Sequence, residues 1–209
     1  MINSSQQLLF GFFNNLQDIE CYVIRPRGPL PGMALKGQQV AINRMQTSKI
    51  LNGVWGIKET PFYDQFGKPH VKAERHISIS HSRDLYAVMV SRTQVVGVDV
   101  ERMTDRILRI EGKFVNEKEQ LMLVNNRNQR ALQLYVIWTA KEVMYKIYSK
   151  KEVDFKKHLM VHVPEVIANS GEVVGHLSMP DLVYEFAIAY HIVDDWIVAW
   201  ATGEAAIFY

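Results

Sequence analysis

Cysteine is almost missing from this chain. Cys21 stands alone in 209 residues, so no intrachain disulfide forms and nothing calls for an oxidising compartment. A lone cysteine is far more often a small buried hydrophobe than a nucleophile. Charge of one sign is also missing. Lys plus Arg number 24 and Asp plus Glu 22, a net of +2, which lacks the strongly basic footprint of a bulk nucleic-acid binder. A local basic patch stays open. No apolar run approaches the ~20 residues that a bilayer requires. Leu8 to Phe13 is apolar but short, with no cationic stretch before it and no small-residue cleavage site after it. These absences predict a cytoplasmic protein without membrane or nucleic-acid partners. Fixed-period repeats and low-complexity tracts are absent too, which excludes a solenoid. What remains is a composition 48% hydrophobic and 22% charged, that of a globular chain with a real core. Its length fits one large domain or two small packed halves.

Proline and glycine gather in few places. Three prolines and two glycines between Arg25 and Gly32 predict a loop. Gln38 to Leu51 reads as a helix ended by Asn52-Gly53, and Tyr63 to Pro69 as a turn. His76–Ser80, Tyr86–Ser91 and Val95–Glu101 carry strand patterns, the last two joined by Arg92-Thr93-Gln94 as in a hairpin. Thr104 to Lys150 is helical in pattern and holds no proline. Strands follow at Met160–Val163, Glu172–Leu177, Val183–Tyr190 and Trp196–Thr202, with Asn169-Ser170-Gly171 and Asp194-Asp195 as turns. Helix, strands, helices, strands argues for an α+β fold. A split near residue 93 gives two halves, 1–93 and 94–209.

Two segments carry most of the chemistry. In Val96 to Glu101, alternate residues share a face. Val96, Val98 and Val100 make one face, and Gly97, Asp99 and Glu101 the other. Two carboxylates beside a glycine suit a hard cation such as Mg²⁺, which often takes one or two protein carboxylates plus substrate phosphate. Taken alone, they fit a solvated strand face with ordinary acids better, since acids are common on exposed faces. In Trp138-Thr139-Ala140-Lys141-Glu142, Glu142 and Lys146 stand four apart, the spacing of a common surface pair. Here, however, Leu134, Val136, Ile137, Val143, Met144 and Ile147 make the same helix apolar over much of its circumference. Charges on a largely buried helix need a reason, and a metal with a phosphate ester is one.

Ser78-Ile79-Ser80-His81-Ser82 ends a strand with groups that hydrogen-bond phosphate oxygens, or simply with a polar turn. A serine hydrolase built on Ser80 and His81 is disfavoured, since no nucleophile elbow surrounds them. Gly67-Lys68-Pro69 is a turn with a cation and lacks P-loop spacing. His158, His162, His176 and His191 show no zinc spacing and read as structural. Arg102, Arg106, Arg109 and Lys113 recur as one helical stripe, either a solvated face or a docking surface for an acidic partner.

In order and rough spacing, Gly67-Lys68-Pro69, Ile77 to Ser82, Gly97 to Glu101, and Trp138 to Glu142 with Lys146 resemble the 4′-phosphopantetheinyl transferases of the Sfp type. The likeness covers roughly residues 66–150, and the first sixty residues carry no matching motif. It implies a pseudo-two-fold arrangement of two similar α+β halves, each with helices packed on a mainly antiparallel sheet, and coenzyme A in the cleft between them. It implies Mg²⁺-dependent transfer of the phosphopantetheine arm to a serine of an apo acyl or peptidyl carrier protein, releasing 3′,5′-ADP. By position it assigns Asp99, Glu101 and Glu142 to the metal, and Glu142 and Lys146 to catalysis. Lys68, Pro69, Ser80, His81, Lys141 and Lys146 fall to coenzyme A; outside the matched motifs, Arg44 and Lys49 on the first helix are candidate cations for its 3′-phosphate. The carrier would dock near Arg102, Arg106 and Arg109. A non-catalytic coenzyme A- or carrier-binding module would share the fold; the complete acid set favours the enzyme.

Overall fold

The computed structural model describes residues 6–14, 18–26, 36–150 and 153–204. In chain order the elements are β1 (Gln6–Asn14), β2 (Ile19–Pro26), α1 (Lys36–Trp55), β3 (Phe62–Tyr63), β4 (Pro69–His70), β5 (His76–Ser82), β6 (Leu85–Ser91) and β7 (Val95–Arg102). There follow α2 (Arg106–Ile110), a 3-10 turn at Glu111–Lys113, α3 (Glu117–Met122), α4 (Arg127–Tyr148), β8 (Leu159–His162), β9 (Ser170–Met179), β10 (Leu182–Val193) and β11 (Trp196–Gly203). The fold is α+β, as the element order predicts. One sheet runs β1-β2-β6-β5-β4-β3, the other β7-β11-β10-β9-β8, and all the paired strands are antiparallel.

Strand alternation builds four layers. On β6, Tyr86, Val88 and Val90 pack with Ile50 and Leu51 of α1. Leu85, Ala87 and Met89 face the other way, against Val96, Val98 and Val100 of β7 and Val198 of β11. The second sheet's far face packs on α4 through Leu134, Ile137, Val143, Met144 and Ile147. Helix, sheet, sheet, helix therefore share three cores, and the middle one joins the two sheets. Cys21 lies in that middle core with no exposure, and burial pushes its thiol pKa up. It is structural, as its solitude implies.

Several boundaries differ from expectation. Arg25 and Pro26 end β2 rather than begin a loop; β2 pairs over Ile19–Ile24 with β6, so Pro26 stands past that ladder. Residues 27–32 of the expected loop lie outside the described residues. The apolar run from Leu8 is β1, paired with β2. Helix α1 continues past Asn52-Gly53 to Trp55 and ends at Gly56, whose φ of +67° suits a glycine and whose N–H bonds the Asn52 carbonyl. Ser170 and Gly171 belong to β9, opposite His191 and Tyr190. The β6–β7 hairpin does not form, because β7 pairs with β11 in the other sheet. The Ser91 hydroxyl accepts the N–H groups of Thr93 and Gln94 and turns the chain from one sheet to the next. Among the described residues, no helix is long and apolar enough to cross a membrane.

Candidate active site

Gly97 decides how closely α4 approaches β7. A Cβ there would lie 2.7 Å from the Val143 carbonyl oxygen and 2.8 Å from Ile147 Cγ1. Without one, the helix backbone rests on the strand. Glu142 and Lys146, one turn apart on α4, are thereby set against the acids that share the Gly97 face. Asp99 is 3% exposed, so that face is no solvated edge. Lys146 Nζ donates to Asp99 Oδ1 at 2.7 Å and to the Val98 carbonyl at 2.9 Å. Ser80 Oγ donates to the same Asp99 oxygen at 2.6 Å. Glu101 accepts from Ser82 Oγ at 2.7 Å and from the Trp138 indole at 3.4 Å.

The three carboxyls feel one another. Burial, then the charges of Asp99 and Glu101, push Glu142 up to about 7, with Lys146 opposing. Burial and then Asp99 also raise Glu101, against the Ser82 and Trp138 hydrogen bonds and Lys146. Asp99 Oδ2 is buried and accepts no hydrogen bond. An orphaned carboxylate oxygen beside two acids destabilised by like charge is a donor set that a hard cation would relieve. Yet among the described residues no three carboxylate, imidazole or thiol groups are gathered closely enough to enclose a metal by themselves. The expected triad would at most supply part of a ligand set, with water and substrate phosphate making up the rest, as is common for Mg²⁺.

A cavity of about 420 Å³ opens beside Glu142 and Lys146 and runs to Lys68, Pro69, Arg44 and His81, a size within the usual ligand range. Arg44 lies over the Tyr63 ring at 5.4 Å, and Lys68 is 8% exposed. Partial burial, then Lys146, hold the His81 imidazole below its ordinary pKa. The turn carrying Lys68 is closed by Asp64, whose carboxylate accepts the Phe66 and Lys68 N–H groups. A second cavity of about 430 Å³ lies along Ser82, Glu101, Arg102, Arg106 and Trp138.

Four expectations change. Lys141 does not face the cavity. It is fully buried and donates to the Phe114 and Phe155 carbonyls and to Glu119 Oε2, at 2.7, 2.8 and 2.7 Å. Its three N–H donors are thus spent inside the protein, and burial lowers its pKa against the pull of Glu119. Ser80 does not line the cavity; its proton goes to Asp99. Lys49 is exposed on α1, away from the cavity. Nor is the arginine stripe one helix. Arg102 ends β7 and pairs with Asp195 at 2.6 Å, α2 is five residues long, and Lys113 sits in the 3-10 turn.

Glu119 is the residue that sequence reasoning missed. It is fully buried, accepts the Asn116 and Val161 N–H groups, and partners Lys141. The signal was present: Asn116 and Glu119 form a capping box at the start of α3.

Comparison with known proteins bears on this arrangement directly. Residues 95–201 match the family described as the 4′-phosphopantetheinyl transferase superfamily. The 4′-phosphopantetheinyl transferase gsp of Aneurinibacillus migulanus is 32% identical over 88 residues, which are 42% of this chain and 37% of that protein. The match therefore spans little more than a third of the curated relative's length.

Proposed function

Because the chain belongs to the 4′-phosphopantetheinyl transferase superfamily, we propose that it moves the 4′-phosphopantetheine arm of coenzyme A to a serine of an apo acyl or peptidyl carrier protein. The observation that carries this reading is that Glu142 and Lys146, the latter hydrogen-bonded to Asp99, line one cavity together with Arg44, Lys68 and His81. Coenzyme A is a long polyanion with a pyrophosphate in its middle, and a cavity lined by Arg44, Lys68 and Lys146, with Glu142 beside them, suits that molecule. Arg44, Lys68 and His81 would take the nucleotide and its phosphates, with Pro69 beside them.

In the reaction, the carrier serine Oγ bonds to the phosphorus next to pantetheine. The bond from that phosphorus to the bridging oxygen breaks, and the electron pair leaves with 3′,5′-ADP. Glu142, on the cavity wall beside Lys146, would receive the serine proton, directly or through a water. The Lys146 ammonium stands on the cavity wall, where it would meet charge developing on the pyrophosphate. Mg²⁺ held by Asp99, Glu101 and Glu142 would supply charge neutralisation of that pyrophosphate.

The carrier would approach from the second cavity, where Arg102 and Arg106 stand and where Arg106 and Arg109 are exposed. An acidic helix fits such a rim. The test is mass spectrometry of apo carriers of fatty-acid, polyketide and peptide type incubated with the protein, coenzyme A and Mg²⁺. The expected result is a mass gain of one phosphopantetheine on at least one carrier. No gain on any of them, with coenzyme A still bound in calorimetry, would leave a binding module and defeat the transfer reading.

A further inference from the structure

Strands β5 and β7 lie side by side but belong to different sheets, and a row of serine side chains joins them. Ser78, Ser80 and Ser82 fall at alternate positions of β5 and so share a face. Ser78 Oγ accepts the Val98 N–H at 3.0 Å, and Ser82 Oγ accepts the Arg102 N–H at 3.1 Å, each across twenty residues. These hydroxyls occupy places that strand carbonyls would take in a continuous ladder. A serine hydroxyl also carries one proton to give. Ser80 gives its proton to Asp99, and Ser82 to Glu101.

We propose that Ser82 is a positioning residue for the acid site: anchored by the Arg102 amide, its hydroxyl holds the Glu101 carboxylate in its cation-facing conformation, as Ser80 holds Asp99. Accepting the Arg102 amide would satisfy a purely structural role. The donated proton goes further, because it reaches a carboxylate whose other oxygen is taken by the Trp138 indole. Glutamate has a long, mobile side chain, and two donors on its two oxygens select one orientation. Losing a partner of this kind typically costs ~10–100-fold in metal affinity or activity. The hydroxyl and the acid both border the second cavity, at the side from which a carrier serine would enter.

The inference rests on the functional reading above, and its test separates the two. Mg²⁺ binding in the presence of coenzyme A, without carrier, is measured by calorimetry for the wild-type protein, Ser82→Ala and Ser82→Thr, alongside the Mg²⁺ dependence of transfer. Ser82→Ala is expected to weaken Mg²⁺ binding by ~10-fold and to raise half-saturating Mg²⁺ in the transfer assay equally, with KM for coenzyme A at saturating Mg²⁺ unchanged. Ser82→Thr, which keeps the hydroxyl, restores both. Wild-type Mg²⁺ affinity in Ser82→Ala, or an equal loss in both variants, overturns the positioning role while transfer by the wild-type protein stands. A wild-type protein without Mg²⁺ binding or transfer overturns both claims. Should Ser82→Ala fail to fold, Trp138→Phe removes the other Glu101 donor and leaves the strand edge intact. It is expected to weaken Mg²⁺ binding in the same direction, and unchanged affinity there counts against the proposal.

Discussion

Glu142 is a buried carboxyl, and burial first, then the charges of Asp99 and Glu101, make it hold its proton tightly. Its pKa stands at about 7, against about 4.3 for glutamate in an unfolded chain. The folded state therefore binds this proton more strongly. The group's contribution to stability is full below the unfolded value and is lost as pH rises through about 7. Glu142→Gln imitates the protonated form at every pH. In metal-free buffer the variant is expected to exceed wild type in stability at pH 8 by up to ~4 kcal/mol, at about 1.4 kcal/mol per pKa unit, and to match it near pH 4. Urea denaturation of both proteins at the two pH values checks this, and a difference independent of pH would refute the carboxyl cluster. At this scale the sequence was readable where a face could be counted. Alternation put Asp99 and Glu101 together with Gly97, and the four-residue spacing put Glu142 with Lys146. Lys141 was misassigned because helical neighbours point ~100° apart. It could not share the Glu142 face, and its own face meets α3 and the Phe155 segment.

One element contact, α4 on β7, assembles the site. Gly97→Ala would put a methyl against the Val143 carbonyl and Ile147, neither of which is the loose end of a flexible chain. The helix must shift off the strand, carrying Glu142 and Lys146 away from Asp99. A cost of about 1–3 kcal/mol is expected from such overpacking. Transfer is expected to fall at least ~100-fold even where the variant remains folded, since a displacement near 1 Å can cost that much. Circular dichroism melts and single-turnover transfer, measured on one preparation, decide it; full activity would mean the helix does not set the acids. The residue patterns in the chain are clearest for these same elements. β5, β7 and α4 have clear periods, whereas pairing partners are not written in a strand's own alternation. Arg92-Thr93-Gln94 is short enough for a hairpin, yet β7 buries Val96, Val98 and Val100 against the first sheet and finds its ladder with β11, about a hundred residues later. The β1–β2 hairpin is not legible in the sequence, because an aromatic run around Gly11 shows no polar alternation.

At the scale of the molecule, the question is whether the two sheets stand alone or as one body. The sheets divide near residue 93, but the core does not. Met89 of β6 is fully buried among Val96, Val98 and Val100 of β7 and Val198 of β11, so it belongs to both sheets at once. Phe10 and Phe12 of β1 extend this contact onto Trp200, at ring separations of 5.3 and 5.0 Å. The site acids sit at the same seam, held from the first sheet by Ser80 and Ser82. Opening the seam would therefore expose both sheets and dismantle the acid cluster together. Met89→Ala is expected to lower stability by about 2–4 kcal/mol through the cavity it leaves, and to do so in one transition. Far-ultraviolet dichroism reports mainly on α1 and α4, one on each side of the seam. Tryptophan fluorescence reports mainly on Trp138, Trp196 and Trp200 in the second half, with Trp55 in the first. Coincident denaturation curves, shifted equally by the mutation, are the expected result. If the two signals separate, with the second half melting as in the wild type, the sheets fold independently and the serine row is a contact between finished parts rather than the joint on which the site is built.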